Sequence, residues 1–599
     1  MTRRLQALRV GNFKAFADTQ RIPLKPITLI FGPNSAGKSS FIHSLALAHE
    51  AQFGREKRSL ARLDVHHTDV GGSAIDLGGF RQYVHRGQLS KRVEWGAELK
   101  VSALAQGKDQ RLAQLLAPIS SVALNITLGI ELDDQDRPKP GAEPRVDSIE
   151  ITADGAELLR MSRRPATARA EAHTGHLRLD RLASDHSVFR HVLKAIVEAQ
   201  TTSEEMRPED FDGANEAIAS LLPELVVRVD QFFPSSVELP KTDGGDISPV
   251  NMLFPVSKGN RKEDIAQAVR FVLPRTLNDL IKGLAEALAE ELKQLQYLGP
   301  LRSYPPRHLA FTDQEDSNWF AGGGYAWDVV RTRKDIRNKV NEWLGAGKLK
   351  TPYELRVVPL YSHQAMRDPL HGALLFRYAA MAAARDGHDD HLVEEWPALK
   401  QGQDYLTEGG GDLDFSEIAG IRDLEDPSSL GYCTEEGDAL IELMKGEIAP
   451  ASAVELTLYD VKKGTMVSHR DVGIGISQVL PVLVMAYASE GKLVAMEQPE
   501  IHLHPALQAE LGDVFIEAAL GERQNTFILE THSEHLILRL MRRIREGKIS
   551  PDDVGVVFVE PLARGSRFIE LRIDEEGDFI DEWPGGFFEE SFHEKFGGR

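Results

Sequence analysis

The chain has 599 residues, 42% of them hydrophobic and 27% charged, the composition of globular domains and enough length for several of them. Ninety-one acidic against 70 basic residues leave a formal net charge of −21, which excludes a bulk nucleic-acid binder and confines any DNA contact to a local basic face. A single cysteine, Cys433, excludes a disulfide framework, a cysteine zinc site and an iron–sulfur cluster, and fits a reducing cytosol.

The opening MTRRLQALRV carries charge with no apolar run behind it, so no signal peptide is expected and a cytoplasmic location is. The longest apolar stretch, Val479 to Ala488, is too short to span a bilayer, and no membrane partner is expected. Residues 5–31 predict two strands, LQALRV and PITLIF. A glycine-rich turn follows, and FIHSLALAHEAQF has helical spacing. From about 94 to 162, VEWGAELKVSAL, SVALNITLGIEL and VDSIEITADGAELLRM alternate between turn signals and predict an antiparallel meander. From about 181 to 296 the period becomes helical, in SVFRHVLKAIVEAQ, NEAIASLLPELVVRVDQFF and IAQAVRFVLPRTLNDLIKGLAEALAEELKQL. No heptad persists long enough for an extended coiled coil. Residues 385–450 are polar and loop-rich, an insertion holding Cys433. The C-terminal part alternates again: LVAME, a helix, NTFILETHS, a helix, VGVVFVE and the hairpin RFIELRIDEEGDFIDEW.

The strongest local signal is Gly32, Pro33, Asn34, Ser35, Ala36, Gly37, Lys38 and Ser39, with a strand before and a helix after. This is G-x-x-x-x-G-K-[ST] in the context its chemistry demands. Glycines let backbone N–H groups curl around an anion, and the helix N-terminus adds its positive end. Lys38 is placed to reach the β- and γ-phosphates of ATP, and the Ser39 hydroxyl to ligate Mg²⁺. The motif predicts a P-loop NTPase of the α/β class.

A phosphate loop needs an acid for its magnesium. Leu493 to Glu497 is an apolar strand ending in a carboxylate, followed by Gln498, Pro499 and Glu500. Upstream, Gly473-Ile474-Gly475-Ile476-Ser477-Gln478 opens a helix, a second glycine-rich turn able to cradle an anion. Downstream, the strand Thr526 to Glu530 runs into Thr531-His532-Ser533, where a histidine can reach a γ-phosphate or a water.

In order and spacing these segments resemble the ABC-type ATPase heads of the SMC and DNA-repair ATPases. They are closer still to the AAA-annotated bacterial group around the OLD-family and Septu-type defence ATPases. LRVGNFKAF, LKPITLIFGPNSAGKSSFIHSL, YLGPLR, GIGISQVLP, AMEQPEIHLHP and LETHSEHLILRL carry the likeness, over roughly 1–100, 296–345 and 455–599. The tail DGDFIDEWPGGFFEE resembles a segment of uncharacterised role in one branch of the group. The resemblance implies an ATPase head of ABC/SMC type built from residues 1–180 and 297–599, with 181–296 as a helical insertion or arm. It implies that Gly32 to Ser40, Ser40 included, form the Walker A loop. Gly475, Ser477 and Gln478 become the signature, presented in trans to a second subunit's nucleotide. Glu497 becomes the Walker B acid on Mg²⁺, and His532 the switch histidine. Gln82, in DLGGFRQYVHR, becomes the lid glutamine, and Lys14 and Phe16 contact the adenine.

This chain departs from the wider ABC pattern at Gln498, where those ATPases place a catalytic glutamate. A glutamine orients water but does not accept its proton. Glu500 is then either the base or a residue that caps or pairs locally. The resemblance implies ATP hydrolysis by a homodimer or higher homo-oligomer that senses DNA or controls a separately encoded nuclease or toxin in phage defence. Two rival readings stay open: a self-contained ATP-gated nuclease, and a nucleotide-gated scaffold with little hydrolysis. With 67 residues after His532, no OLD-type nuclease domain is expected there. Glu560 and the acids of IDEEGDFIDE read either as a metal cluster or as a solvated hairpin.

Overall fold

The structure, a computed structural model, describes residues 4–54, 68–105, 110–140, 142–163, 176–200, 208–238, 261–302, 318–345, 347–360, 453–467 and 474–584. The insertion expected at 385–450 and Cys433 lie outside them. The chain divides into two units. The larger comprises 1–305, 314–354 and 468–599, and the smaller 306–313 and 355–467.

Eleven strands occupy the first half of the larger unit: β1 (Leu5–Gly11), β2 (Gln20–Pro23), β3 (Ile27–Phe31), β4 (Val93–Lys100), β5 (Ser121–Gly129), β6 (Arg145–Ala153), β7 (Ala156–Ser162), β8 (His176–Leu182), β9 (Val226–Arg228), β10 (Ser236–Glu238) and β11 (Leu295–Leu298). The strands β12 (Tyr353–Leu360), β13 (Ala453–Asp460) and β14 (Thr465–Val467) form a three-stranded sheet, in which the Arg356 guanidinium lies 3.6 Å over the Tyr459 ring. The chain closes with β15 (Leu493–Glu497), β16 (Thr526–Glu530), β17 (Val554–Leu562) and β18 (Gly565–Leu571). Among the helices are α1 (Lys38–Phe53), α2 (Phe80–Tyr83), α3 (Val101–Leu104), α4 (Gln110–Leu115), α5 (Ser187–Gln200), α6 (Pro208–Leu221) and α7 (Arg261–Lys293). Then come α8 (Tyr325–Thr332), α9 (Lys334–Leu344), α10 (Ile474–Ala488), α11 (Pro505–Leu520) and α12 (Glu534–Arg545).

Two sheets organise the larger unit. One is antiparallel with nine strands in the order β10-β9-β8-β7-β6-β5-β4-β1-β2. The other has six strands in the order β11-β15-β16-β3-β17-β18, parallel except for the β17–β18 hairpin. β3 and β15 are buried at every residue, as continuous apolar runs in a parallel sheet must be. β5 buries Val122, Leu124, Ile126 and Leu128 on one face, while Ser121, Asn125 and Thr127 on the other are half-buried. This is the α/β class expected: a strand, phosphate loop and helix in a parallel sheet, joined to an antiparallel meander and a helical insertion.

The meander runs further than its sequence pattern suggests. The helix expected through NEAIASLLPELVVRVDQFF stops at Leu221. Pro223 lacks an N–H and disfavours helix at the residue before it, so the chain passes through a short 3₁₀ turn. The β-branched VVR that follows becomes β9, pairing with β8 and β10. Nor does the helical stretch stand apart. α7 buries Ile265, Val269, Leu273, Leu277, Leu284 and Leu288 along one face and packs on α1, α4, α5, α6 and β10. Trp95 of β4 meets Phe232 and Phe233 edge-on and at a tilt in the same core.

Candidate nucleotide site

The loop between β3 and α1 turns through positive φ at Gly32 (145°), Ser35 (62°) and Gly37 (105°). Glycine is needed at two of these for space as well. A Cβ on Gly32 would lie 2.6 Å from the Val559 carbonyl of β17, and one on Gly37 would collide with the Ala15 Cβ. Pro33, Asn34 and Ser35 form the exposed rim of the loop, and Ala36 is buried with its carbonyl accepting from the Ser566 hydroxyl at 2.6 Å. The Ser40 N–H donates to Gly37 O at 3.1 Å and so starts the helix.

Lys38 is only 4% exposed. Its ammonium donates to the carbonyls of Gly32 and Pro33, both at 3.0 Å, and lies 4.0 Å from Glu530 Oε1. Burial lowers its pKa, and the neighbouring carboxylates oppose that. Backbone carbonyls are weak partners for a buried cation, so the ammonium is held ready for a stronger anion.

Two carboxylates lie at the end of the sheet. Glu497 closes β15 and Glu530 closes β16, and the two are direct partners in the parallel register. Opposite residues on neighbouring strands point to the same face, so the acids stand side by side, 6% and 5% exposed. Burial, reinforced by the charge of Glu497, pushes the Glu530 carboxyl up to about 7. The Ser39 hydroxyl donates to Glu530 Oε2 at 2.7 Å. Glu497 Oε1 accepts from the Tyr297 hydroxyl at 2.9 Å and lies 3.4 Å from His43 Nε2. His43 Nδ1 in turn lies 2.6 Å from the Lys14 ammonium. Because the lysine only donates, this network assigns the ring proton to Nε2, facing the carboxylate. Burial lowers Lys14 to about 8.

Behind the acids the backbone is strained and clamped. Gln498 sits at φ 46°, its N–H donating to the Glu530 carbonyl at 2.8 Å. Arg302, 6% exposed, donates to the carbonyls of Gln478 (3.0 Å) and Gln498 (2.9 Å), tying the start of α10 to the turn after β15. Its burial brings the guanidinium down to about 10. Glu500 Oε1 accepts the His532 N–H at 2.8 Å. His532 Nε2 is buried without a hydrogen-bond partner, and burial together with the Lys38 charge lowers the pKa of the imidazole.

The expected site residues therefore fall into groups. Gly32 to Ser40, Glu497, Gln498, Glu500 and His532 converge on the ends of β3, β15 and β16. Glu500 does so through an oxygen that holds the His532 backbone. Within the single chain Ser477 and Gln478 are buried in the first turns of α10, while Gly475 is half-buried with His502 O where a Cβ would make tight contact. Gln82 lies exposed on the short α2, its side chain against Gly78. Phe16 is fully buried and stacked on Phe568 at 4.5 Å between centroids, which leaves no ring face for an adenine. Glu560 pairs with Arg567, and of the acids after it Asp581 pairs with Arg572 and Asp578 with Arg545. His43, Tyr297, Arg302 and Glu530 are the members of the site whose roles the sequence did not mark. Glu530 and Arg302 lie inside the LETHS and YLGPLR motifs, without a role of their own there.

One hydroxyl and two carboxylates suit Mg²⁺, a hard cation that keeps waters and shares its shell with phosphates. Among the described residues, no three of His, Cys, Asp and Glu gather into a self-contained metal cage.

Three family models match the chain: an AAA domain over residues 7–108, an AAA ATPase domain over 429–537, and a protein of unknown function, DUF3696, over 549–596. Two separate stretches of the chain are thus similar to AAA domains. No curated protein matches. Among solved structures, the Smc head domain of Pyrococcus furiosus, with an extended coiled coil and bound to the C-terminal domain of ScpA, aligns over 95% of this chain and 96% of its own at 10% identity and a TM-score of 0.33. The SMC head domain of Thermotoga maritima aligns over 95% and 100% at 8% identity and a TM-score of 0.30. Among the described residues no helix is long and apolar enough to cross a membrane.

Proposed function

We propose that the chain binds ATP with Mg²⁺ on Gly32 to Ser40 and hydrolyses it, as one head of an ABC/SMC-like dimer. The observation that carries this reading is the buried Lys38 ammonium, held by loop carbonyls beside two buried carboxylates at the end of a parallel sheet. The loop N–H groups and Lys38 receive the phosphates, Ser39 and the acids receive the cation, and His532 Nε2, buried without a hydrogen-bond partner, is left for the γ-phosphate or a water. The dimer, the trans signature of Gly475, Ser477 and Gln478 and the coupling to DNA or to a separately encoded nuclease or toxin in phage defence follow from the resemblance to the SMC, OLD-family and Septu-type ATPases, and the cytoplasmic location from the charged start and the single cysteine.

Nucleotide titration and phosphate release from the purified protein test the core of the proposal. Lys38→Ala removes the side-chain cation of the cradle, and turnover is expected to fall about 10²-fold or more. Parent-like binding and turnover in that variant would overturn the reading. A second reading, a nucleotide-gated scaffold, is favoured by Gln498 in place of a base and by the engagement of Glu500 with the His532 backbone. It predicts ATP-driven dimerisation with no phosphate release above the Lys38→Ala background.

A further inference from the structure

The sequence assigns the magnesium acid to Glu497, yet the Ser39 hydroxyl gives its proton to Glu530. A hydroxyl that ligates a cation does so through a lone pair, and the group that takes its proton sets where that lone pair points. In the strand order β15-β16-β3, the acid ending β16 is one strand nearer the phosphate loop than the acid ending β15. The oxygen of Glu497 described above is already engaged by the Tyr297 hydroxyl, with His43 beside it. The residue after Glu497 is Gln498, so the end of β15 brings one carboxylate and no more.

We infer that Glu530 is a positioning residue of the magnesium site: it orients the Ser39 hydroxyl toward the cation and supplies, beside Glu497, the second negative charge. This rests on the ATP–magnesium reading of the loop. It goes beyond that reading by moving the acid that governs Ser39 from β15 to β16. The consequence has a sign. With no cation present, a carboxylate beside the loop repels the phosphates. With the cation present, the same carboxylate attracts the complex.

The test is titration of the full chain with a fluorescent ATP analogue, once with Mg²⁺ and once with EDTA. Glu530→Gln keeps an oxygen for the Ser39 proton and removes the charge. Affinity without magnesium is expected to hold or rise and affinity with magnesium to fall, so that their ratio drops about 10- to 100-fold, the usual scale for losing a partner of a metal ligand. Mn²⁺ paramagnetic resonance with a non-hydrolysable analogue should show weaker metal uptake in the same variant. If both affinities fall together and the ratio stays at the parent value, Glu530 is only structural and the inference is overturned. Should Glu530→Gln fail to fold, Glu530→Asp, which keeps the charge and withdraws it from Ser39, carries the same test with a smaller fall in the ratio expected. A parent that binds no ATP under either condition defeats the ATP reading itself. A parent with magnesium-dependent binding that Glu530→Gln leaves untouched defeats only the role of Glu530.

Discussion

The antiparallel and the parallel sheet of the larger unit draw on similar apolar residues and treat their charges in opposite ways. In and around the nine-stranded sheet, charge meets opposite charge. Arg21 grips Glu98 through two hydrogen bonds of 2.9 and 3.0 Å, Arg92 pairs with Asp147 at 2.7 Å, and Arg145 reaches Glu131 at 3.2 Å. At the end of the parallel sheet, like charge stands beside like charge. Glu497 and Glu530 are neighbours in register and nearly buried, with Lys38 held by carbonyls. The first arrangement pairs its charges directly, whereas in the second hydroxyls, a lysine 4.0 Å away and a carboxyl raised to about 7 offset two neighbouring acids. Unbalanced buried charge that the fold tolerates is a mark of a functional site.

The largest expected effects separate stability from function. Ile528 in β16 and Ile149 in β6 are both fully buried. Truncating either to alanine should destabilise the protein by about 2–5 kcal/mol in denaturant unfolding. ATP affinity of the molecules that remain folded should weaken for Ile528→Ala, next but one to Glu530, and hold for Ile149→Ala. Equal losses of affinity would break the comparison between the sheets.

Arg302→Met comes next. It removes two charge-assisted hydrogen bonds, to the carbonyls of Gln478 and Gln498, and leaves the Gln498 carbonyl with the Ile501 N–H at 3.1 Å, so a loss of about 2–3 kcal/mol is expected. Arg302→Lys should rescue little of it, since an ammonium does not span two carbonyls as the guanidinium fork does. Full rescue in a thermal melt would show that the charge, not the fork, matters.

The raised Glu530 carboxyl gives a dependence on pH in the nucleotide-free protein, measured in EDTA. Its folded pKa, about 7, lies above the ordinary carboxylate range, so in that window the folded state holds more protons than the unfolded one. Stability should therefore fall as pH rises from about 5 to 7 and level off above. The fall should be roughly 1–3 kcal/mol, because holding one extra proton is worth about 1.4 kcal/mol for each pH step across that window. Glu530→Gln should flatten this slope, and an unchanged slope would mean that the carboxylate is not the group that titrates. The smallest effect belongs to the antiparallel sheet. Arg21 is half-exposed, so Arg21→Ala should change stability by less than about 1 kcal/mol, and less again in high salt.

The phosphate loop is legible in the sequence because its chemistry is local. Eight consecutive residues, a strand before and a helix after specify a tight glycine turn into a helix N-terminus, and Gly32 and Gly37 are the positions where the fold leaves no room for a Cβ. The apolar runs of β3, β15 and β16 likewise announce buried parallel strands. Local pattern misled where a short-range feature outweighed periodicity, as at Pro223, which turns an expected helix into β9. It misled again at Phe16, where an aromatic near the loop proved to be core against Phe568.

The sequence by itself determined the strand, glycine-rich loop and helix over β3 and α1, the α/β class and the acidic end of β15, because each depends on residues close together in the chain. Only the tertiary structure decided which acid receives the Ser39 proton, which partners hold Glu497 and what Glu500 holds. Those contacts join residues 14, 39, 43, 297, 497, 500, 530 and 532, and they meet because β16 inserts between β15 and β3. Strand order is a property of the whole packed sheet, set by long-range burial rather than by any local run of residues, and it is strand order that placed Glu530 beside the loop.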